Sequence, residues 1–178
     1  MNIKCLIGTI IEFCWNNVIT FVPSRKVRCF FAHVCFAKFG KNCFLGIGFK
    51  VKAPWKVHLG DRVALNSGVF IDGRGGLTIC SDTDIATGTL IWTMGHDPHS
   101  AGNPSYTSQK MIGKNCWIGA CSQILVGADV EDFAVVGAGA IVTKTVGHGE
   151  IWVGNPAKKI ANRRCTEHYQ LDYRPFLK

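Results

Sequence analysis

The residues best suited to chemistry lie in one stretch. It runs Thr93-Met94-Gly95-His96-Asp97-Pro98-His99-Ser100 and continues through Ala101-Gly102-Asn103-Pro104-Ser105-Tyr106-Thr107. Gly, Pro, Asn and Ser dominate it, which reads as a loop, and long loops on rigid scaffolds commonly carry function. Histidine titrates near neutral pH, so it is the natural proton acceptor for a group that must be deprotonated as it reacts. His96 and His99 are the candidates, the bland alternative being exposed loop histidines. No serine or cysteine nucleophile stands beside His96 in the sequence. The nine cysteines are odd in number, irregularly spaced and without a CxxC pair, so neither a disulfide framework nor a zinc knuckle is indicated. Cys116 and Cys121, in apolar glycine-punctuated sequence, read as small core fillers. A reducing compartment is expected.

The element that must position this loop is a repeat. Ile112, Ile118, Ile124, Val130, Val136 and Val142 are spaced six apart, and Gly113, Gly119 and Gly137 directly follow three of them. Four positions after the first five leaders stand Cys116, Ser122, Ala128, Ala134 and Ala140, all small. Upstream the pattern returns with slips. Leu59, Leu65 and Ile71 share one register, and Ile79, Ile85 and Ile91 share another displaced by two. Leu45, Val51 and Val57 form an earlier, weaker one. A fixed short period means a solenoid. Period six fits a short strand and a tight turn. Three such units close a triangular coil of 18 residues with aliphatic leaders inward and small residues at the corners. Successive coils then form three parallel sheets at about 4.8 Å spacing. About five coils are expected between residues 40 and 150, with the slips bulging at corners.

Ile112-Gly113-Lys114-Asn115-Cys116-Trp117-Ile118-Gly119 resembles the hexapeptide-repeat acyltransferases. So do Val136-Gly137-Ala138-Gly139-Ala140-Ile141-Val142-Thr143-Lys144 and Gly154-Asn155-Pro156-Ala157-Lys158. The nearest subgroup is the maltose/galactoside O-acetyltransferases and the colanic-acid-type acetyltransferases. The resemblance covers roughly residues 40–162. It implies an all-β fold, a left-handed parallel β-helix with an N-terminal helical segment and a short C-terminal helix or tail. It also implies homotrimers with active sites between neighbouring subunits.

By the same resemblance, His96 matches the catalytic histidine, and Asp97 after it leans toward the colanic-acid-type members. Asn66 and Asp72 match acceptor-binding positions, Asp72 only with one residue of slippage; ordinary turn chemistry is the alternative for both. His99 is a further substrate contact or simply loop. Trp117, Gly119, Ala120, Ala138 and Thr143 match positions that contact coenzyme A. Lys158 matches a basic position near its phosphates, to which Lys159, Arg163 or Arg164 could add. A solvated helix face is the alternative for Arg163 and Arg164. The implied activity is acetyl-CoA-dependent O-acetylation of a sugar, nucleotide-sugar or lipid-linked glycan in polysaccharide biosynthesis, without a metal. N-acetylation of an amino sugar is the nearest alternative. A zinc lyase of carbonic anhydrase type needs three converging histidines, and His96, His99 and His148 lack that spacing. A non-catalytic scaffold is the third reading.

Charge agrees with this layout. The 178 residues carry a net +8, which divides into +4 over residues 1–38, zero over 39–155 and +4 over 156–178. Those segments are the expected units: an amphipathic helical segment, the β-helix with loop 93–110, and a basic tail. Basic ends suit phosphates or headgroups. No nucleic-acid motif accompanies them. In residues 3–22, Glu12, Asn16 and Asn17 argue against a membrane span, and no signal-peptide pattern is present. Ile3, Ile7, Ile10, Ile11, Cys14, Val18 and Phe21 instead mark one helix face, ended by Pro23. Arg25, Lys26 and Arg28 follow. The pair of helices either packs on the main domain or touches a membrane peripherally. A cytoplasmic location is expected, with or without that contact at the inner face of the membrane.

Overall fold

The structure, a computed structural model, describes residues 3–164 and 167–172. Its core is a β-helix with three faces. Face I holds Lys38–Phe39, Val57–Leu59, Leu77–Ile79 and Lys110–Ile112 in parallel, continued by bridges at Val130 and Val146. Face II holds Phe44–Leu45, Ala64–Leu65, Asp84–Ile85, Trp117–Ile118, Val135–Val136 and Glu150–Gly154. Face III holds Lys50–Lys52, Phe70–Asp72, Leu90–Ile91, Gln123–Ile124 and Ile141–Val142. Two faces thus carry six rungs and the third five, slightly more than the five coils expected.

The leaders stack as the period predicts. Leu45, Leu65, Ile85, Ile118 and Val136 pair in sequence up face II. Val51, Ile71, Ile91, Ile124 and Val142 do so up face III. All ten are fully buried. Successive leaders are six apart almost everywhere. The departures, 51 to 59, 71 to 79, 91 to 112 and 142 to 146, all fall at the corner between faces III and I. The two-residue slips and the long loop are therefore insertions at one corner of successive coils.

That corner is stitched by polar groups. Asp72 is fully buried and accepts two hydrogen bonds from the Arg74 guanidinium, at 2.9 and 3.1 Å, and one from the Thr93 amide at 3.2 Å. Burial alone would raise the Asp72 carboxyl, but these bonds outweigh it and hold it below the usual carboxylate range. Thr93 Oγ1 donates to the Asp72 carbonyl at 2.9 Å. Where the chain returns from the loop, Lys110 is buried and donates through Nζ to the carbonyls of Leu125 and Ala128. Burial lowers its pKa to about 8.

Helix α1 (Ile3–Asn17), a 3-10 turn (Ile19–Phe21) and helix α2 (Arg25–Cys35) close the free edge of the first coil. The amphipathic pattern is present, but the docked side is the polar one. The Asn16 amide accepts from the Val51 N–H and donates to the Val51 carbonyl, both at 2.9 Å. Glu12 accepts from the Ala53 N–H at 2.8 Å and lies 3.3 Å from Lys52 Nζ. Thr20 Oγ1 donates to the Phe49 carbonyl, and Arg28, fully buried, donates through Nε to Leu45 O at 3.0 Å. These groups satisfy backbone that a further coil would otherwise pair. Beneath them Trp15 packs edge-on against Phe36 and Phe49.

The other end departs from expectation too. Ala157–Asn162 forms a strand antiparallel to Glu150–Gly154, where a short helix or tail was anticipated. Inside the solenoid, Val136→Asp would bury an unpaired charge between Ile118 and Trp152. It should cost roughly 4 kcal/mol or more, read as a large drop in melting temperature. Val136→Ile should melt close to the unchanged protein.

Candidate functional site

The loop is a hairpin set on the stitched corner. Met94–His96 pairs antiparallel with Ser105–Thr107, so His96 stands opposite Ser105 at its outer end. Tyr106 lies against Gly95, where an added Cβ would come within 3.2 Å of the Tyr106 hydroxyl. The tip is tied by Asp97, which accepts from the His99 amide at 3.0 Å and from the Ser100 hydroxyl. Those bonds, Ser100 first, hold the Asp97 carboxyl below its ordinary range. The Asp97 N–H donates to the Pro104 carbonyl at 3.0 Å.

One hydrogen bond defines what His96 can do. Its Nδ1 lies 2.9 Å from the carbonyl oxygen of Asn103. A carbonyl only accepts, so Nδ1 carries a proton, and in the neutral ring the lone pair is on Nε2. Asn103 reaches this position with φ of 49°, in the left-handed region that asparagine tolerates. The ring therefore has a fixed tautomer, with a basic nitrogen directed away from the bond that holds it. His96 and His99 both line an open groove of about 500 Å³, with Pro98, Pro104 and Tyr106. His148 lies at a different corner, its ring centroid 5.4 Å from that of Phe133.

The remaining expected residues fall into two groups. Gly119, Ala120 and Ala138 stack at the corner between faces II and III, where Gly139 N–H donates to Ala120 O at 2.8 Å. A side chain on Gly119 would strike the backbone of Gly137 and Ala138. Asn66 lies at that corner two coils earlier. Trp117 points outward from face II and is 52% exposed. Thr143, by contrast, follows face III on the corner that carries the His96 loop. Within one chain, then, His96 and Thr143 occupy one end of face III, and Asn66 and the small-residue corner occupy the other. Asp72 lies near the loop but buried beneath it, with its carboxylate engaged by Arg74 and Thr93.

Among the basic residues, Lys158 is exposed on the terminal hairpin. Lys159 Nζ lies 2.7 Å from Glu150 Oε1. Arg163 donates to the carbonyls of Asn115 at 2.7 Å and Phe133 at 3.3 Å, and its guanidinium lies 5.5 Å from the Tyr169 ring centroid. Arg163 thus secures the chain after the hairpin at the corner between faces I and II.

The sequence reading missed Asp84. On the outward ladder of face II it stands between Ala64 and Trp117. Asn66 Nδ2 donates to its Oδ1 at 2.8 Å. Burial pushes the Asp84 carboxyl up, an effect the Asn66 bond partly offsets. The available signal was an acid one residue before the leader Ile85, a place otherwise held by Phe44, Ala64, Trp117 and Val135. Asn103 gave no signal at all, because its role belongs to its backbone carbonyl.

Comparison with known proteins agrees with this geometry. Residues 111–144 match the hexapeptide repeat of succinyl-transferase. The chain is 29% identical over 155 residues to a protein of Escherichia coli K12 named for colanic acid biosynthesis, the acetyltransferase WcaF; the match covers 87% of this chain and 83% of that one. It is 28% identical over 144 residues to the galactoside O-acetyltransferase of Escherichia coli K12, covering 78% and 71%. Among solved structures, a hexapeptide-repeat acetyltransferase of Vibrio cholerae complexed with acetyl coenzyme A superposes with a TM-score of 0.79 at 19% identity, over 89% of this chain and 86% of that one. A maltose O-acetyltransferase of Clostridium difficile 630 gives 0.78 at 23% identity, over the same shares. With its parallel β-helix, six-residue ladders and corner loop, the chain carries the hexapeptide repeat over residues 111–144 and shares the left-handed parallel β-helix fold of these acetyltransferases.

Proposed function

We propose that this protein transfers an acetyl group from acetyl-CoA to a hydroxyl of a sugar, as a nucleotide-sugar or lipid-linked glycan precursor of a polysaccharide, with His96 as general base. The observation that carries the reading is the Asn103 carbonyl on His96 Nδ1, which leaves Nε2 ready to accept a proton. The thioester donor is already activated, so direct transfer needs no acyl-enzyme. Nε2 takes the proton of the acceptor hydroxyl as its oxygen attacks the acetyl carbonyl. The C–S bond breaks, and the thiolate leaving group recovers a proton. The names of the colanic acid, galactoside and maltose relatives support a sugar acceptor.

The donor fits face II and its corner. Trp117 offers a flat apolar surface for the pantetheine arm, and the small, partly exposed Ala120 lets a ligand approach the corner that Gly119 holds tight against the next coil. Lys158, exposed on the hairpin, supplies charge for the phosphates. Lys159 and Arg163 already hold internal partners, so Lys158 carries more of this role than the basic cluster as a whole suggests. The two halves of the site lie at opposite ends of face III. We therefore assign the active unit to a homotrimer in which the His96 loop of one chain faces the Asn66 and Gly119 corner of the next.

Three outcomes check this reading. His96→Ala should lower turnover by roughly 10²–10⁴-fold at saturating acceptor with acetyl-CoA affinity nearly unchanged, while His99→Ala costs far less. Near-full activity in His96→Ala, or an acetylated side chain competent for transfer trapped by mass spectrometry, would remove the direct mechanism. Calorimetric titration of coenzyme A at two salt concentrations should show weaker binding for Trp117→Ala and Lys158→Ala. Only Lys158→Ala should flatten the salt dependence. Finally, inactive His96→Ala chains unfolded and refolded together with inactive Asn66→Ala chains should regain activity, because some interfaces then combine an intact His96 with an intact Asn66. No recovery would place the whole site in one chain.

A further inference from the structure

The N-terminal cap is built inside out. α1 presents Gly8, Glu12, Trp15 and Asn16 to the solenoid and turns Ile3, Ile7, Ile10 and Phe13 away from it. α2 buries Arg28 and Ala32 and turns out Val27, Phe30, Phe31 and Val34, at the i, i+3, i+4, i+7 spacing of one stripe. The exposures are large: Ile3 71%, Phe13 64%, Phe30 64% and Val34 70%. A terminal cap of a solenoid ordinarily shows a polar outer face to water, and contiguous exposed apolar surface marks an interaction site. Here the polar residues are spent on the free edge of the first coil. Those that remain on the outer side of α1 turn inward on their own helix. Thr9 Oγ1 donates to the Cys5 carbonyl at 3.0 Å, and Asn17 Nδ2 donates to the Phe13 carbonyl at 2.9 Å. Such self-bonded groups tolerate an apolar neighbour.

We propose that this cap is a docking surface for an anionic lipid bilayer, with α1 and α2 lying in the headgroup region and their apolar stripes against the acyl chains. Charge selects this occupant. Residues 1–38 hold five basic residues and one acid; the acid, Glu12, faces the domain beside Lys52, and of the bases Arg28 is buried against it. Arg25 and Lys26 begin α2 next to the exposed Val27 and Phe30. A second copy meeting this surface face to face would set Arg25 and Lys26 against their own counterparts. Anionic headgroups neutralise them. The helices lie on the bilayer rather than cross it. The 15 residues of α1 extend about 22 Å, short of the roughly 30 Å hydrocarbon core. Among the described residues no helix is long and apolar enough to span. The basic amphipathic pattern with large outward aromatics is that of an interfacial anchor. The surface is separate from the His96 loop and from Trp117, so it stands whatever the acceptor proves to be.

Flotation of the full chain with vesicles tests it. Vesicles of phosphatidylcholine with about one third phosphatidylglycerol should carry the protein, and pure phosphatidylcholine should carry at least tenfold less, with added salt weakening the first. Arg25→Gln combined with Lys26→Gln should lower partitioning about 30-fold, from roughly fivefold per basic residue at an anionic surface. Phe13→Ser combined with Phe30→Ser should lower it at least tenfold with melting temperature unchanged, both side chains being exposed. Wild-type protein that ignores both vesicles, or variants that float as well as wild type, would overturn the proposal. If light scattering instead shows a larger wild-type assembly that the Phe variants break into smaller ones, while vesicles carry nothing, the surface is covered by a second copy and the lipid assignment fails.

Discussion

Everything in this molecule depends on the stacking of like side chains in parallel register inside the coil. Leu45, Leu65, Ile85, Ile118 and Val136 form one continuous column without access to water, and the other two faces repeat it. Each rung hydrogen-bonds to the next and buries its leader on the previous one. No coil is stable alone, and each depends on its neighbours. The regularity has a chemical purpose. A column that cannot shift by one residue without turning its leaders outward also holds the corners in fixed positions, and the corners carry the candidate site.

All variation is confined to the corner between faces III and I. The first two coils carry two extra residues there, the third carries the His96 hairpin, and the last is shortened there. At the other two corners the spacing never departs from six, so the turns there repeat from coil to coil. The loop is then made rigid at its base. Asp72, Arg74 and Thr93 secure its departure, and Lys110 secures its return. A buried carboxylate and a buried ammonium are costly unless bonded, which makes these two groups specific. They tolerate one arrangement of the corner, and His96 is built upon it.

This explains which parts of the sequence were legible. The ladders are periodic, so period alone placed Leu45 through Val142 in the interior, the slips included. The loop announced itself by interrupting that period. His96 was legible as a histidine within it, but its tautomer depends on a carbonyl seven residues away, to which residue type gives no clue. Asp72 matches an acceptor-binding position only with one residue of slippage, turn chemistry being the alternative. The structure buries it and engages its carboxylate with Arg74 and Thr93, so residue type and resemblance alone did not reveal which way it faces. In α1 the helical period marked the stripe at Ile3, Ile7 and Ile10 correctly. A period cannot say which side meets the domain, and the free edge of the first coil, rich in unpaired backbone, took the polar side.

The charge distribution follows the same logic. The neutral middle is the stacked solenoid, where residues 39–155 carry nine charges of each sign. Among them Arg62 pairs with Asp82 of the next coil at 2.6 Å, and Arg74 pairs with Asp72 at 2.9 Å. The basic ends are where stacking stops. At the first coil Arg28 is drawn inward to a carbonyl that has no further strand to bond. At the last, Lys159 is held by Glu150, and Arg163 donates to carbonyls at the corner below. Part of each basic cluster is therefore used within the chain, Arg28 on a carbonyl at the free edge of the first coil, Lys159 on the Glu150 carboxylate and Arg163 on corner carbonyls of earlier coils. What is left over includes Arg25, Lys26 and Lys38 at one end and Lys158 and Arg164 at the other, all exposed or partly exposed. A net charge of +8 thus overstates the charge available for binding. The useful part is the remainder after the two ends have been closed.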